Sequence, residues 1–171
     1  MRDVAAHLTS AFTTSGPTFL VNIVQCGFNF DRANDKITRK IAEQPVEAIV
    51  ETLRANAEHR FTPPTMGAEA PLTDAIVHGQ DIRRPLGLIR DFPEAHLVRS
   101  LDFVTGKQRG FVPKGRLDGL RFEATDVGWS SGAGAELRGS GEAVLLAITG
   151  RGQVLDELEG DGAEILRGRL R

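Results

Sequence analysis

Three side chains that can bind a metal or move a proton lie at helical spacing near the middle of the chain. They are Asp74, His78 and Asp81, within the stretch LTDAIVHGQDIRRPLG at residues 72–87. Positions three and four apart project from nearly the same face of an α-helix, so one helix would present an imidazole between two carboxylates. An aspartate and a histidine one turn apart can bind a single divalent cation, and His7, on another helix, is the candidate for a third ligand.

Each of these residues also has an interpretation without a metal. On spacing alone, a core histidine bound to a backbone carbonyl is favoured over a metal ligand for His7, which lies among apolar residues. Asp74 could be a residue of a first helical turn stabilised by the helix dipole, and Asp81 could pair at the surface with Arg83 or Arg84. Two ligands on one helix are a weak signal by themselves.

The elements that must position these residues are helices in the first hundred residues. FTPPTMGAEAP (61–71) is expected to be a loop, since two adjacent prolines cannot both lie inside a helix. The pattern predicts a bundle of four or five helices. In five stretches, which are the predicted helices, apolar residues recur every three or four positions. They are RDVAAHLTSAF (2–12), a stretch that Asp31 could cap, VEAIVETLRANAEH (46–59) after Pro45, the stretch around His78, and residues 93–105.

The composition changes after residue 105, since 14 of the 19 glycines lie in residues 106–168. Alternating apolar and polar residues at 120–125 predict a strand, and the glycines at 132–134 are expected to join Trp129 to a second strand, AELRG (135–139), as a hairpin. A short apolar helix at 142–149 and a last helix capped by Asp161 follow. We therefore predict a mainly α protein with a helical metal-binding domain at 1–105 and a small α+β domain at 106–171 packed on it.

The overall composition is that of an ordinary globular protein. The chain has 171 residues, of which 40% are hydrophobic and 26% charged, and its formal net charge is -2. This charge gives no reason to expect nucleic acid or an anionic membrane as partner, which favours small molecules. The sequence shows neither an export signal nor an apolar run long enough to cross a bilayer. Its single cysteine, Cys26, is predicted to be a buried inert thiol, and the lack of a second cysteine fits a reducing compartment. We therefore predict a cytoplasmic protein.

Four stretches of the chain resemble a known family. They are MRDVAAHL (1–8), DRAN (31–34), VHGQDIRRPLG (77–87) and DVGWSSGAGAELRGSGEAVLLAITGR (126–151). Together they resemble the mycothiol-dependent maleylpyruvate isomerase family, within the DinB-like metal-binding helical bundles, over nearly the whole chain.

The resemblance implies a DinB-like bundle in which His7, Asp74 and His78 hold a divalent metal, usually zinc. The family carboxylate is commonly glutamate, so the shorter Asp74 could bind less tightly or through a water molecule. Asp81 is then expected to fix the imidazole of His78 or the neighbouring arginines. Members of the family usually begin with an additional helix that ends in a tryptophan-containing turn.

This chain starts at the helix that follows, so the bundle is expected to be incomplete at the N-terminus, through truncation or because another surface covers the gap. A bundle that lacks one helix exposes an apolar groove, which favours self-association, for example as a homodimer.

Three protein ligands leave one position of the cation open, as in catalytic zinc sites. The resemblance supplies mycothiol as the thiol for that position, where a cation favours the reactive thiolate. We expect a mycothiol-using thiol transferase or cis–trans isomerase of a small substrate that could be acidic, with Arg138 and Arg151 as candidates for binding its carboxylate. Solvated surface arginines are an equally good interpretation of both. The alternative function is a non-catalytic module of the same fold that binds metal, or that senses or carries a small apolar ligand.

Overall fold

The computed structural model describes residues 1–60, 62, 67–106 and 111–170, and the chain is mainly helical with a small three-stranded sheet near its C-terminus. The mainly α class predicted from the sequence is thereby confirmed. Short 3₁₀ helices lie at Arg84–Leu86 and Gly152–Glu157. The helices are α1 (Arg2–Thr13), α2 (Gly16–Gln25), α3 (Phe30–Ala42), α4 (Val46–Ala55), α5 (Glu69–Arg83), α6 (Glu94–Thr105), α7 (Gly141–Ile148) and α8 (Asp161–Arg169), and the strands are β1 (Leu120–Ala124), β2 (Trp129–Gly132) and β3 (Ala135–Gly139).

The chain forms two compact units. The first comprises Met1–Thr62 and Asp74–Ile89, and the second comprises Pro63–Thr73 and Arg90–Arg171. The predicted domains, 1–105 and 106–171, divide the chain elsewhere, because α6 belongs to the second unit. Whether those segments are domains in their own right stays a prediction.

The first unit has its core where α1 packs against α3 and α4. The core residues are Ala6 of α1, Ile37 and Ile41 of α3 and Ile49 of α4, each at most 8% exposed. Their burial removes apolar surface from water and fixes the mutual positions of these three helices. The face of α1 that carries residue 7 is therefore held against α3.

The helix α2, in contrast, has no buried residue. Leu20, Val21 and Val24 are each more than half exposed, and so are Phe28 and Phe30, which follow the helix. Residues 8–30 carry no charge. Cys26, at the C-terminal end of α2, is half-buried rather than buried.

The sheet of the second unit has the order β2-β1-β3. The expected hairpin between β2 and β3 is wrong, because β2 pairs antiparallel and β3 parallel with β1, on its two sides. The chain crosses the end of β1 at Gly132-Ala133-Gly134, where a Cβ at position 132 or 134 would strike the carbonyl oxygens of Leu120 and Gly119. The two glycines also have positive φ angles, 82° and 125°, so this crossing requires them.

The core of the second unit is α7 on one face of the sheet. Seven of the eight residues of α7, all except Glu142, are buried, together with Leu120, Phe122 and Leu137 of the strands. Trp129, 8% exposed, donates from Nε1 to Asp102 Oδ1 of α6 at 2.8 Å. This hydrogen bond links β2 to α6 within the second unit.

Several helix ends differ from their predicted positions. Asn29, not Asp31, caps α3, since its side chain accepts a hydrogen bond from the backbone N–H of Arg32. Asp161 is the first residue of α8 and Gly160 precedes it. The predicted loop at 61–71 is wrong at its C-terminal end. Helix α5 begins at Glu69 and includes a proline in its first turn, where proline is tolerated. Residues 61 and 63–66 lie outside the described part of the chain.

None of the helices in the described ranges combines the length and the apolar character that a bilayer crossing requires.

Candidate metal centre

The helix α5 carries two of the three residues predicted to bind a metal. Asp74 and His78 lie one turn apart, and both belong to the first unit. Because α5 starts at Glu69, Asp74 is in its second turn, beyond the first-turn N–H groups on which a helix-dipole role depends. The interpretation of Asp74 as a dipole-stabilised first-turn residue is therefore wrong.

The third residue, His7, comes from α1. Its neighbour Ala6 is fully buried in the core of the first unit, so the backbone at this position is fixed by packing. The imidazole of His7 leaves that core and points toward α5, where its Nε2 lies 3.4 Å from Asp74 Oδ2. The interpretation as a core histidine is thus replaced by a side chain that faces a carboxylate.

The three side chains converge. His78 Nε2 lies 3.4 Å from the other carboxylate oxygen, Asp74 Oδ1, and one ligand atom from each of the three residues can be chosen so that all lie within 4.8 Å of one another. The two imidazole rings meet edge to face, with centroids 4.8 Å apart. Zinc bonds of about 2.0–2.1 Å in a tetrahedron place neighbouring ligand atoms about 3.3 Å apart. Each imidazole nitrogen lies near this separation, at 3.4 Å, from a different oxygen of Asp74.

The cluster is partly open to solvent. The side chains of His7, Asp74 and His78 are 22%, 31% and 24% exposed, so each is partly covered by the surrounding protein. The donor atoms of the cluster are therefore partly accessible from solvent.

The carboxylate of Asp74 is held in its ionised form. Burial by itself would raise the pKa of Asp74, but hydrogen bonds from His7 and His78, together with the positive charge of the imidazoles, outweigh it and hold the pKa well below its usual range. The ionised carboxylate is the form that binds a cation. The donor set, two imidazoles and one carboxylate, is one that zinc accepts.

Each histidine also has a polar partner at its other ring nitrogen, Nδ1, which faces away from Asp74. Asp81 Oδ2 accepts a hydrogen bond from His78 Nδ1 at 2.8 Å, within α5. Asn34 of α3 places its Nδ2 3.4 Å from His7 Nδ1. The contact between Asp81 and His78 agrees with the expectation from the sequence, whereas Asn34 was missed as a site residue because no local spacing links it to a histidine 27 positions away.

The two arginines predicted to bind substrate lie in the second unit. Arg138 donates to Glu159 Oε2 from both Nε, at 3.1 Å, and Nη2, at 2.8 Å, and this bond raises the pKa of Arg138 above its ordinary value. Arg151 donates to the carbonyl oxygen of Thr149 at 2.9 Å, at the end of α7. Their role in catalysis stays a prediction.

Comparison with known proteins identifies no relative: family models, curated proteins and solved structures all give no match to this chain. What the centre can do therefore follows from its own donor atoms.

Proposed function

We propose that the first unit holds a divalent cation, zinc in the first instance, through His7 Nε2, His78 Nε2 and an oxygen of Asp74. The observation that carries this proposal is the convergence of these donor atoms within 4.8 Å on two helices far apart in sequence. Two imidazoles and one carboxylate are the protein ligands of many zinc sites that catalyse reactions.

The placement of the imidazoles supports a cation at this point. Asp81 can only accept a hydrogen bond when ionised, so it fixes the Nδ1–H form of neutral His78 and leaves a lone pair on Nε2. That lone pair faces a carboxylate oxygen of Asp74 at 3.4 Å. Two lone pairs so placed repel each other unless a cation, either a proton on Nε2 or a metal ion, lies between them.

We further propose that the site serves a thiol-dependent enzyme, a mycothiol-using transferase or isomerase with a DinB-like bundle. This step depends on the sequence resemblance of HGQDIRRPLG (78–87) and the other quoted stretches. When bound, the cation would act as a Lewis acid and favour the thiolate form of an incoming thiol. Of the chain's own residues, Asp74 and the two histidines would hold the cation and leave one coordination position open for the thiol.

The metal proposal is tested by measuring the metal content of the purified protein. Protein purified without chelator should contain close to one divalent metal ion per chain by elemental analysis. His78→Ala should reduce this to background, whereas His96→Ala, which removes an exposed histidine of α6, should retain the metal. Equal metal content in both variants would refute the assignment of the ligands.

A non-catalytic metal-binding module is the second candidate. The ion pair between Arg138 and Glu159 favours this second candidate. The guanidinium of Arg138, which was predicted to bind an acidic substrate, is already bound to a carboxylate of the protein. Cobalt-substituted protein separates the two candidates. Added mycothiol should produce a thiolate charge-transfer band if the site activates thiols, and an unchanged spectrum would favour the non-catalytic module.

A further inference from the structure

The two histidines of the centre are oriented alike but have different partners. Each directs Nε2 toward Asp74, at 3.4 Å, and Nδ1 away from it. The carboxylate of Asp81 lies 2.8 Å from Nδ1 of His78, and the amide of Asn34 lies 3.4 Å from Nδ1 of His7. One partner is a charged acceptor, and the other is an uncharged group that can donate or accept.

This difference sets different proton positions on the two rings. When the Nδ2 of Asn34 faces the ring, it donates to His7 Nδ1, and the proton of neutral His7 then lies on Nε2, opposite the charged acceptor Asp74 Oδ2 at 3.4 Å. His78 lies between two carboxylates, so its first proton lies on Nδ1, at the shorter contact with Asp81, and its Nε2, opposite Asp74, favours a further proton or a metal ion. Half of the centre is therefore arranged to accept a cation, and the other half is satisfied without one.

We propose that Asn34 is a positioning residue that holds the ring of His7 at Nδ1 and thereby sets the affinity of the centre for metal. The inference depends on the proposed metal-binding function of the cluster. With metal bound, His7 must offer a lone pair at Nε2, so its proton moves to Nδ1 and Asn34 must present its carbonyl oxygen Oδ1 instead of Nδ2. A half-turn of the side-chain amide makes this exchange without moving a helix.

The position of Asn34 is fixed by the fold. It lies on α3 next to Ala33, which is fully buried, and three residues before Ile37, which belongs to the same core as Ala6. The packing of α3 on α1 therefore sets the distance between the backbones at positions 34 and 7. A side chain of the same size at position 34 should face the same ring nitrogen.

Two substitutions of matched size separate the roles of the amide. Asn34→Asp replaces the amide with a group that only accepts, like Asp81, and should favour the Nδ1–H form of His7 and tighten zinc binding by about 10-fold or more. Asn34→Leu removes the hydrogen bond and should weaken zinc binding about 10–100-fold. The control is Asn29→Asp, which makes the same change of charge on α3 at its N-cap, where aspartate serves equally well.

Two measurements are needed. The dissociation constant for zinc alone is obtained by competition with a chromophoric chelator, and the tautomers of His7 and His78 are obtained from the ¹⁵N shifts of the imidazoles in metal-free protein, at a pH where both rings are neutral. In the wild type we expect Nε2–H for His7 and Nδ1–H for His78. Asn34→Asp should convert only His7, and Asn29→Asp should convert neither.

The outcomes distinguish this inference from the proposed function. An unchanged tautomer of His7 in Asn34→Asp, or equal zinc affinity in Asn34→Asp and Asn34→Leu, would overturn the role of Asn34. A tautomer that switches as expected in a protein that does not bind zinc would uphold the action of Asn34 on His7 and overturn the metal proposal.

Discussion

Zinc should raise the melting temperature of the first unit, and His78→Ala should remove most of that rise. The ligands lie on α1 and α5 of one unit, so binding requires that unit to be folded. At a free zinc concentration 100 times the dissociation constant, binding stabilises the folded state by about 2.7 kcal/mol. For a unit of about 80 residues, 1 kcal/mol corresponds to about 4–8 °C, so the expected rise is about 10–20 °C.

The effect of the substitution follows from the same relation. Loss of a group that only supports a ligand weakens metal binding about 10–100-fold, so loss of a ligand itself should weaken it at least about 100-fold. The same zinc concentration then only equals the dissociation constant, and the stabilisation falls to about 0.4 kcal/mol. The melting temperature of His78→Ala should therefore rise by about 3 °C or less.

The assay is scanning calorimetry of metal-stripped protein with and without zinc, complemented by hydrogen exchange followed by peptide mass. Exchange locates the effect: zinc should slow it in α1 and α5, the helices that supply the ligands. His96→Ala serves as the control, because it removes an exposed histidine outside the cluster and should show the full rise. An equal rise in His78→Ala and His96→Ala, or none in the wild type, would refute the reasoning.

Further predictions concern acid stability, packing and self-association. The lowered pKa of Asp74 means that its contribution to the free energy of unfolding is present above about pH 4, where the unfolded carboxyl titrates, and is lost as the pH falls through the lower folded value. Urea unfolding of the wild type and Asp74→Asn should therefore differ at about pH 5 and converge toward about pH 2, and a constant difference would contradict this. Gly162→Ala should destabilise the second unit by about 1–3 kcal/mol in chemical unfolding, because its Cβ would lie 2.7–2.8 Å from backbone oxygens of β3. Gly168→Ala, in the same helix with open space around it, should be neutral or stabilising by up to about 1 kcal/mol, and the reverse order would contradict the packing. The exposed apolar side chains on and beside α2 offer on the order of 500 Å² without charge, comparable with one half of a small dimer interface, so we predict self-association in sedimentation velocity. Val24→Lys should shift this equilibrium toward monomer, whereas Val46→Lys, at an exposed position of α4, should not. A wild type that is monomeric at all concentrations would contradict the prediction.

The stripe on α5 could be predicted from the sequence, because helical geometry alone relates residues 74, 78 and 81. The convergence of His7 with them could not be derived in that way, since it depends on how two helices meet in the first unit. His7 was the candidate for a third ligand, but only the sequence resemblance favoured that role over a core histidine. The structure brings the side chains together, and the binding of metal stays a prediction.

The sheet shows where local patterns fail. Strand β1 has strict alternation of buried and half-buried residues and was predicted, and β3 was predicted from AELRG. Strand β2 has the sequence WSSG, with one apolar residue, so its alternation carries little signal. The order β2-β1-β3 depends on the crossing at residues 132–134, which nearby glycines suggested only as a turn.

Asn34 shows a different limit. Its side chain is polar and half-buried on an otherwise amphipathic helix, which is common for residues without a special role. What distinguishes it is the ring nitrogen of a histidine on another helix, at 3.4 Å. Such a contact becomes visible only when the packing of α3 on α1 is known.

Because His7 and Asp74 lie far apart along the chain, the ribosome adds them at different times during synthesis. The core residues that hold α1, α3 and α4 together are complete at Ile49, well before α5 exists. At about 5–20 residues per second, the ribosome takes roughly 3–13 s to proceed from the first ligand to the second. Every newly made molecule therefore passes through a stage in which His7 has been made and Asp74 and His78 have not, so the proposed ligand set is complete only after α5 has been synthesised.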